Sequence, residues 1–121
     1  REMNMTYSEL KYLNAVDKMS DGSGVKQIEL SKYLGVSTVS IYKAMARLEE
    51  KNLIVRDENG LYCLTDKARG ELGEYMECAK CIENMLVEKC NSSKSKAKRD
   101  AMAVACALSD ENRKCVFNLM K

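Results

Sequence analysis

The sequence predicts a mainly α-helical protein: an N-terminal winged helix-turn-helix with a two-stranded wing, followed by a helical domain. Its 121 residues include no proline or tryptophan and many Lys, Glu and Met, a composition that favours helices. Two helical segments are joined by a short turn that contains glycine. Asn59-Gly60, a strong hairpin signal, then separates two β-prone stretches. A helix-turn-helix followed at once by a hairpin is typical of a winged helix.

The first helix is predicted from its start and its apolar face. Thr6 and Glu9 have the spacing of a capping box, and apolar residues follow at helical spacing: Leu10, Leu13 and Val16. Residues 1–4, before this box, are expected to be a ragged terminus.

The next two helices form the predicted helix-turn-helix. A short helix covers about residues 26–34 and has three expected apolar contacts: Ile28, Leu30 and Leu34. Gly35 is expected to end it in the left-handed conformation. Ser37 is the predicted N-cap of a third helix that runs to about residue 51. Its inward-facing residues are expected to be Ile41, Ala44, Met45 and Leu48.

A hairpin and three more helices complete the prediction. The strands lie in 53–56 and 61–64, and Thr65 caps a long helix that extends to about Cys90. Two helices follow, over about 96–108 and 110–120. The expected domains are a DNA-binding winged helix-turn-helix at 5–66 and a helical domain at 67–121. Because three helices of about 50 residues rarely bury a sufficient core alone, the second domain is expected to form a homodimer.

Composition narrows the classes of function. Histidine is absent, which excludes imidazole bases and imidazole metal ligands. With no glycine-rich phosphate loop and no nucleophile beside a base, we expect neither an enzyme nor a small-molecule substrate. No signal peptide and no apolar run of about 18 residues is present, which predicts a cytoplasmic protein with no membrane partner. The net charge of +2 neither requires nor excludes nucleic acid.

The third helix carries the side chains expected to contact a double-stranded DNA operator. They are Ser37, Thr38, Ser40, Tyr42, Lys43 and Arg47. Short hydroxyls at a helix N-terminus suit phosphate contacts, and Lys or Arg side chains reach phosphate or guanine. The alternative is that Ser37 only caps the helix and that the basic residues form a solvated face. The wing tip, 57–60, is acidic and is not expected to clamp phosphate.

Six cysteines lie in the second half of the chain. Three are expected to pack as small buried hydrophobes: Cys63, Cys90 and Cys115. The others are candidates for a shared site, because Cys78 and Cys81 form Cys-x-x-Cys on the long helix and Met102 precedes Cys106 by one helical turn. These sulfur atoms could hold a soft metal, form a redox pair or only pack.

Four stretches carry a resemblance to a known family: 29–37 and 40–49 in the helix-turn-helix, 60–65 at the wing, and 105–111, which resembles a Glu-His-x-Met/Leu-Ser-Asp/Glu-Glu run. The chain resembles the iron- and manganese-dependent repressors of the diphtheria-toxin-repressor and manganese-transport-regulator type, in their short two-domain form. The resemblance implies a homodimeric DNA-binding repressor.

The family's metal ligands are replaced in this sequence. By position, its first-helix ligands fall on Lys11 and Asn14, and its Glu-His pair falls on Ala105 and Cys106. The oxygen and nitrogen ligands that suit manganese or iron(II) are therefore missing. Four sulfur residues stand in the same region: Cys78, Cys81, Met102 and Cys106. The hypothesis is a sulfur site that holds iron, zinc, copper or an iron–sulfur cluster, or that acts as a dithiol switch. The alternative is a regulator that has lost its sensor.

Two other functions remain open. A winged-helix regulator of the multiple-antibiotic-resistance type would sense oxidants or small molecules, but it usually has dimerisation helices on both sides of its DNA-binding unit. A winged helix used only for protein interaction is the second alternative, and a flat salt dependence of DNA binding would favour it.

Overall fold

The computed structural model describes residues 4–20 and 22–119. Within them, the helices are α1 (Tyr7–Met19), α2 (Gln27–Leu34), α3 (Thr38–Glu50), α4 (Asp66–Cys90), α5 (Lys94–Ala107) and α6 (Asp110–Leu119). The strands are β1 (Ile54–Arg56) and β2 (Tyr62–Leu64), which pair antiparallel. The predicted fold class, a mainly helical winged helix-turn-helix protein, is confirmed.

The chain divides into two compact units. The winged-helix unit comprises residues 11–70, and the helical unit comprises residues 1–10 with 71–121. Asn4 belongs to the helical unit because its side-chain amide donates a hydrogen bond to the Leu108 carbonyl at 2.9 Å. The backbone N–H of Met5 donates to the Tyr75 hydroxyl at 3.0 Å, and Met5 is buried. The expectation of a ragged terminus at residues 1–4 falls mostly on residues 1–3, which lie outside the described residues.

Short-range signals position the helix-turn-helix. Both hydrogen bonds of the Thr6–Glu9 capping box form. The Thr6 N–H donates to the Glu9 carboxylate and the Glu9 N–H donates to the Thr6 hydroxyl, with nitrogen–oxygen distances of 3.0 and 3.1 Å. Gly35 has the left-handed φ of 69° that a helix C-terminus favours, and its N–H bonds to the Ser31 carbonyl. The Ser37 hydroxyl accepts from the Ser40 N–H at 3.1 Å, as an N-cap does. The four residues predicted to face inward from α3 are all buried.

One prediction for α2 is wrong. Leu30 is fully buried, but Ile28 is 54% exposed. Successive residues of an α-helix are about 100° apart around its axis, so Ile28 lies about 200° from Leu30, on the opposite side of α2.

The hairpin is fixed at one edge by a short bridge. Ile54 pairs with Leu64 and Arg56 with Tyr62, while Val25 exchanges two backbone hydrogen bonds of 2.9 Å with Tyr62. The wing is thereby held to the segment that precedes α2. Asp57 shapes the wing tip, because its carboxylate accepts from the backbone N–H groups of the tip at 2.8 and 2.9 Å.

The helical unit packs small side chains. The buried residues of α5 are Ala97, Ala101, Met102, Ala105 and Cys106. Ser93 and Ser109 accept hydrogen bonds from the first turns of α5 and α6, at 3.4 and 3.1 Å. None of the helices among the described residues has a segment apolar enough to span a lipid bilayer.

Two cysteine predictions are wrong within the single chain. Cys90 and Cys115 were expected to be buried, and both are exposed, while Cys63 is half-buried. Cys90 is the last residue of α4, well beyond Ala79, the last fully buried residue of that helix. Helical periodicity assigns a residue to a face, but it does not say how far along the helix that face is covered.

Candidate functional site

The face of α3 that does not pack carries the predicted DNA-contacting residues. All six are exposed: Ser37, Thr38, Ser40, Tyr42, Lys43 and Arg47. The buried residues of α3 fall on the other side of the helix. The geometry therefore places hydroxyl, aromatic and basic groups on one accessible helix surface, which we call the α3 face.

The start of the α3 face is held by local hydrogen bonds. The Ser37 hydroxyl donates to the Ser40 hydroxyl at 3.0 Å while accepting from the Ser40 N–H. The side-chain amide of Gln27 donates to the Thr38 carbonyl at 2.9 Å and so ties α2 to this turn. Ser37 is thus an N-cap, and the hydroxyls of the first turn are fixed at the positive end of the helix dipole.

Val39 is a residue of the α3 face that sequence reasoning missed. It is 60% exposed, beside Tyr42, which is 53% exposed. A β-branched apolar side chain that stays exposed on this helix can contact the methyl group of thymine. Helical periodicity places Val39 outside the predicted inward-facing residues of the third helix, so the sequence could have identified it.

Arg56 is the second missed residue, and it joins the wing to α3. Its central guanidinium carbon lies 4.8 Å from the centroid of the Tyr62 ring and 5.6 Å from that of Tyr42. Its Nη2 donates to the Tyr62 hydroxyl at 2.9 Å, and its Nε lies 3.8 Å from the Glu49 carboxylate. Cross-strand pairing predicts the Arg56–Tyr62 contact, but the contact with Tyr42 depends on the tertiary fold.

The sulfur residues of the helical unit are more buried than the sequence suggested. Cys78 is fully buried, Cys106 and Met102 are 8% and 5% exposed, and Cys81 is half-buried. Across the described residues, no group of three or more Cys, Asp or Glu side chains lies close enough to hold a metal ion.

Burial disfavours the thiolate form of the two buried thiols. Burial raises the pKa of the Cys106 thiol to about 11, and burial together with the neighbouring Cys81 raises the pKa of Cys78. Metals bind the thiolate, so a metal ion at these positions would have to displace the thiol protons. The sulfur site stays a prediction of the sequence that this geometry does not support.

Arg113, which the sequence did not single out, acts electrostatically on these thiols. It is 1% exposed, and its charge acts to lower the pKa of both Cys78 and Cys106, although burial outweighs it. Its partners come from three helical segments: Glu74 and Tyr75, the carbonyls of Ala105 and Leu108, and Asp110. The sequence offered only the Asp110–Arg113 spacing, which is typical of a surface ion pair.

Comparison with known proteins supports the fold. No protein-family model and no curated protein matches the chain. A hypothetical protein of Sulfolobus solfataricus is 21% identical with a TM-score of 0.75, and the match covers 95% of this chain and 88% of that one. The manganese regulator SloR (18%, TM-score 0.79) and the metal-dependent transcriptional regulator MtsR (16%, TM-score 0.77) also match 95% of this chain. The chain spans about half the length of these two regulators, 54% of each. At such identities the comparisons show a shared fold.

Proposed function

We propose that this protein is a homodimeric, DNA-binding transcription regulator, a repressor of the type that the sequence resemblance implies, and not an enzyme. The observation that carries the proposal is the α3 face. Its hydroxyl, aromatic and basic side chains, the types found on DNA-reading helices, are all exposed on the second helix of a helix-turn-helix. The regulators SloR and MtsR share the fold and support the same class of function. This proposal includes no metal effector, because no three metal-ligating side chains converge among the described residues.

The α3 face offers three kinds of contact. Lys43 and Arg47 are exposed cations that reach phosphates or the N7 and O6 atoms of guanine. The hydroxyls of Thr38 and Ser40 lie where phosphate oxygens approach a helix N-terminus. Val39 supplies an apolar contact. Together these groups suit entry of α3 into the major groove, the usual geometry of a recognition helix.

Arg56 sets the wing relative to this helix. It contacts Tyr62 in β2 and Tyr42 in α3, and it lies near Glu49 on the same helix. The acidic wing tip does not suit phosphate, so we assign the hairpin a supporting role and assign the main contacts to α3.

Exposed apolar groups support a homodimer through the helical unit. Met85 is 47% exposed, Val104 42% and Leu119 77%, and the thiols of Cys90 and Cys115 are exposed too. Large contiguous apolar patches mark protein interfaces, and these residues are the candidates for one in the helical unit. A dimer would present two α3 helices to successive major grooves, at half-sites about one DNA turn or a multiple of it apart.

Selection of DNA ligands tests the proposal. The purified chain is used to select duplexes from a random-sequence pool, and its affinity for a selected duplex is measured by fluorescence anisotropy. The double variant Lys43→Ala/Arg47→Ala should bind about tenfold to a hundredfold more weakly. The matched control Lys80→Ala/Arg99→Ala removes the same two residue types from exposed positions of the helical unit.

The control variant Lys80→Ala/Arg99→Ala shows whether a loss of DNA affinity comes from α3 or from net charge. We expect it to bind within about threefold of the wild type, because its charges lie off the α3 face. Equal loss in both double variants would mean that net charge, and not α3, governs binding. Failure to select any duplex would favour a winged helix used for protein interaction.

A further inference from the structure

The helical unit contains a cation that water does not reach. The Arg113 side chain is 1% exposed, although burying a charge is costly unless it is paired and hydrogen-bonded. Carboxylates from two helices face it. Asp110 contacts Nη2, and the Glu74 carboxylate of α4 lies 3.6 Å from Nε.

The same guanidinium closes the C-terminal end of α5. Its Nη1 donates to the carbonyl oxygens of Ala105 and Leu108 at 3.3 and 3.0 Å. The last carbonyls of a helix lack partners within the helix and form the negative end of its dipole. The positive charge on Arg113 therefore stabilises α5 by hydrogen bonds and by its charge.

Tyr75 completes the contacts of Arg113. The ring centroid of Tyr75 lies 3.8 Å from the central guanidinium carbon. Arg113 thus joins α4, the end of α5 and α6. The planar, five-donor guanidinium suits this combination of carbonyls, carboxylates and an aromatic face.

Arg113 lies in the region where the sequence predicted a metal ion. Its Nη1 donates to the carbonyl of Ala105, the residue that precedes Cys106, and its guanidinium lies over Tyr75, one helical turn before Cys78 in α4. The charge of Arg113 is matched by the Glu74 and Asp110 carboxylates, so the group that holds it needs no metal ion. The guanidinium therefore supplies, from the chain itself, a charge that ties α4, α5 and α6 together in the region of the predicted metal site.

We propose that Arg113 is the permanent cation of the helical unit, standing where an exchangeable metal was predicted, so that the unit is ordered without any metal effector. The consequence for regulation, that DNA binding is insensitive to divalent metals, rests on the proposed function. The claim that the helical unit is ordered without a metal does not depend on the proposed function.

The first test adds and removes metals on the full chain under reducing conditions. Thermal unfolding is recorded after dialysis against EDTA and again with Mn(II) or Zn(II) in excess. We expect melting temperatures that agree within about 2 °C, since a ligand that binds only the native state at about a hundred times its Kd would raise them by several degrees. A metal-dependent rise of about 5 °C or more would overturn the proposal.

Affinity for a selected duplex is the second readout of the same samples. It should stay within about twofold with and without metal, whereas an allosteric effector typically changes affinity by about fivefold or more. If no duplex binds under any condition, the proposed function fails, and the melting temperatures still decide whether Arg113 replaces a metal.

Substitutions of Arg113 form the third test. Arg113→Ala should lower the melting temperature by about 10 °C, and Arg113→Lys, which keeps the charge but loses the fork of donors, by about 5 °C. The adjacent, exposed Lys114 is the matched control, and Lys114→Ala should change the melting temperature by less than about 2 °C. If both Arg113 variants have the same melting temperature as the Lys114→Ala control, Arg113 does not hold the helical unit together. If Arg113→Ala does not fold, the Lys variant and the metal comparison still decide.

Discussion

The central guanidinium carbon of Arg113 lies 3.8 Å from the centroid of the Tyr75 ring. The hydroxyl at the other end of the Tyr75 side chain accepts a hydrogen bond from the backbone N–H of Met5. Tyr75 therefore links a buried cation to the N-terminal segment. A residue of α4 that helical periodicity assigns only to an apolar face thus has two polar partners.

Tyr75→Phe separates these two roles. It keeps the ring beneath Arg113 and removes the acceptor of the Met5 N–H, which then lies buried without a partner. We expect a loss of about 1–2 kcal/mol in the free energy of unfolding, measured with urea. Tyr33→Phe, at an exposed tyrosine, is the control and should change it by less than about 0.5 kcal/mol. Equal stability of the two variants would mean that the Met5 hydrogen bond contributes nothing.

Features set by residues three to five positions apart were predictable from the sequence. The capping box at Thr6, the left-handed Gly35 and the Ser37 cap depend on such short separations, and all are present. The Asn59-Gly60 hairpin, which pairs residues six to ten positions apart, is present too. In the same way, the buried side of α3 followed from helical periodicity.

Features set by distant residues were not predictable. Arg113 meets Glu74 and Tyr75 about 40 residues earlier in the chain, and nothing in the sequence marks it as buried. Periodicity placed Cys78 beside the core stripe, and the structure buries it completely. The sequence therefore located the sulfur-rich region but did not identify the cation beside it.

Alkaline pH should destabilise the protein through Cys106. Its pKa is raised by burial from an ordinary value of 9.0 to about 11. Between these values the unfolded chain has lost the thiol proton and the folded chain has kept it, so the free energy of unfolding falls as pH rises. This contribution is fully present below pH 9 and is lost progressively as pH approaches 11.

Urea unfolding at a series of pH values checks this, under reducing conditions. We expect Cys106→Ala to show a shallower decline above pH 9 than the wild type. Cys115→Ala, at an exposed thiol, should keep the wild-type decline. A Cys106→Ala decline as steep as that of the wild type would contradict the assignment.

Ser37 separates helix capping from DNA contact. Aspartate is as good an N-cap as serine, so Ser37→Asp should keep the free energy of unfolding within about 0.5 kcal/mol. Its negative charge would lie where phosphate approaches, and affinity for a selected duplex should fall about tenfold. Ser37→Ala should instead cost about 1 kcal/mol of stability. Wild-type affinity in Ser37→Asp would place the start of α3 away from the DNA.

Gly24 is required by the close approach of the wing. An alanine Cβ at this position would lie 2.4 Å from the Leu61 Cβ and 3.0 Å from the Cys63 Sγ. The bridge between Val25 and Tyr62 keeps these segments together, so Gly24→Ala should cost about 2 kcal/mol in urea unfolding.

Gly73 is the matched control for that substitution. It lies inside α4, where an added Cβ would meet no atom within 4 Å. Gly73→Ala should therefore stabilise the protein by about 0.5–1 kcal/mol. If Gly24→Ala and Gly73→Ala change the free energy of unfolding in the same direction, the close approach at Gly24 is contradicted.

The salt dependence of DNA affinity tests the central claim most directly. The observed binding constant for a selected duplex is measured by anisotropy from low to physiological salt. Each phosphate contact made by Lys or Arg adds about −0.9 to the slope of log K against log salt. We predict a steeply negative slope for the wild type that becomes shallower by about 2 in Lys43→Ala/Arg47→Ala, with no change in Lys80→Ala/Arg99→Ala. A flat wild-type slope, or one that the α3 substitutions leave unaltered, would contradict the proposal that α3 holds this protein on DNA.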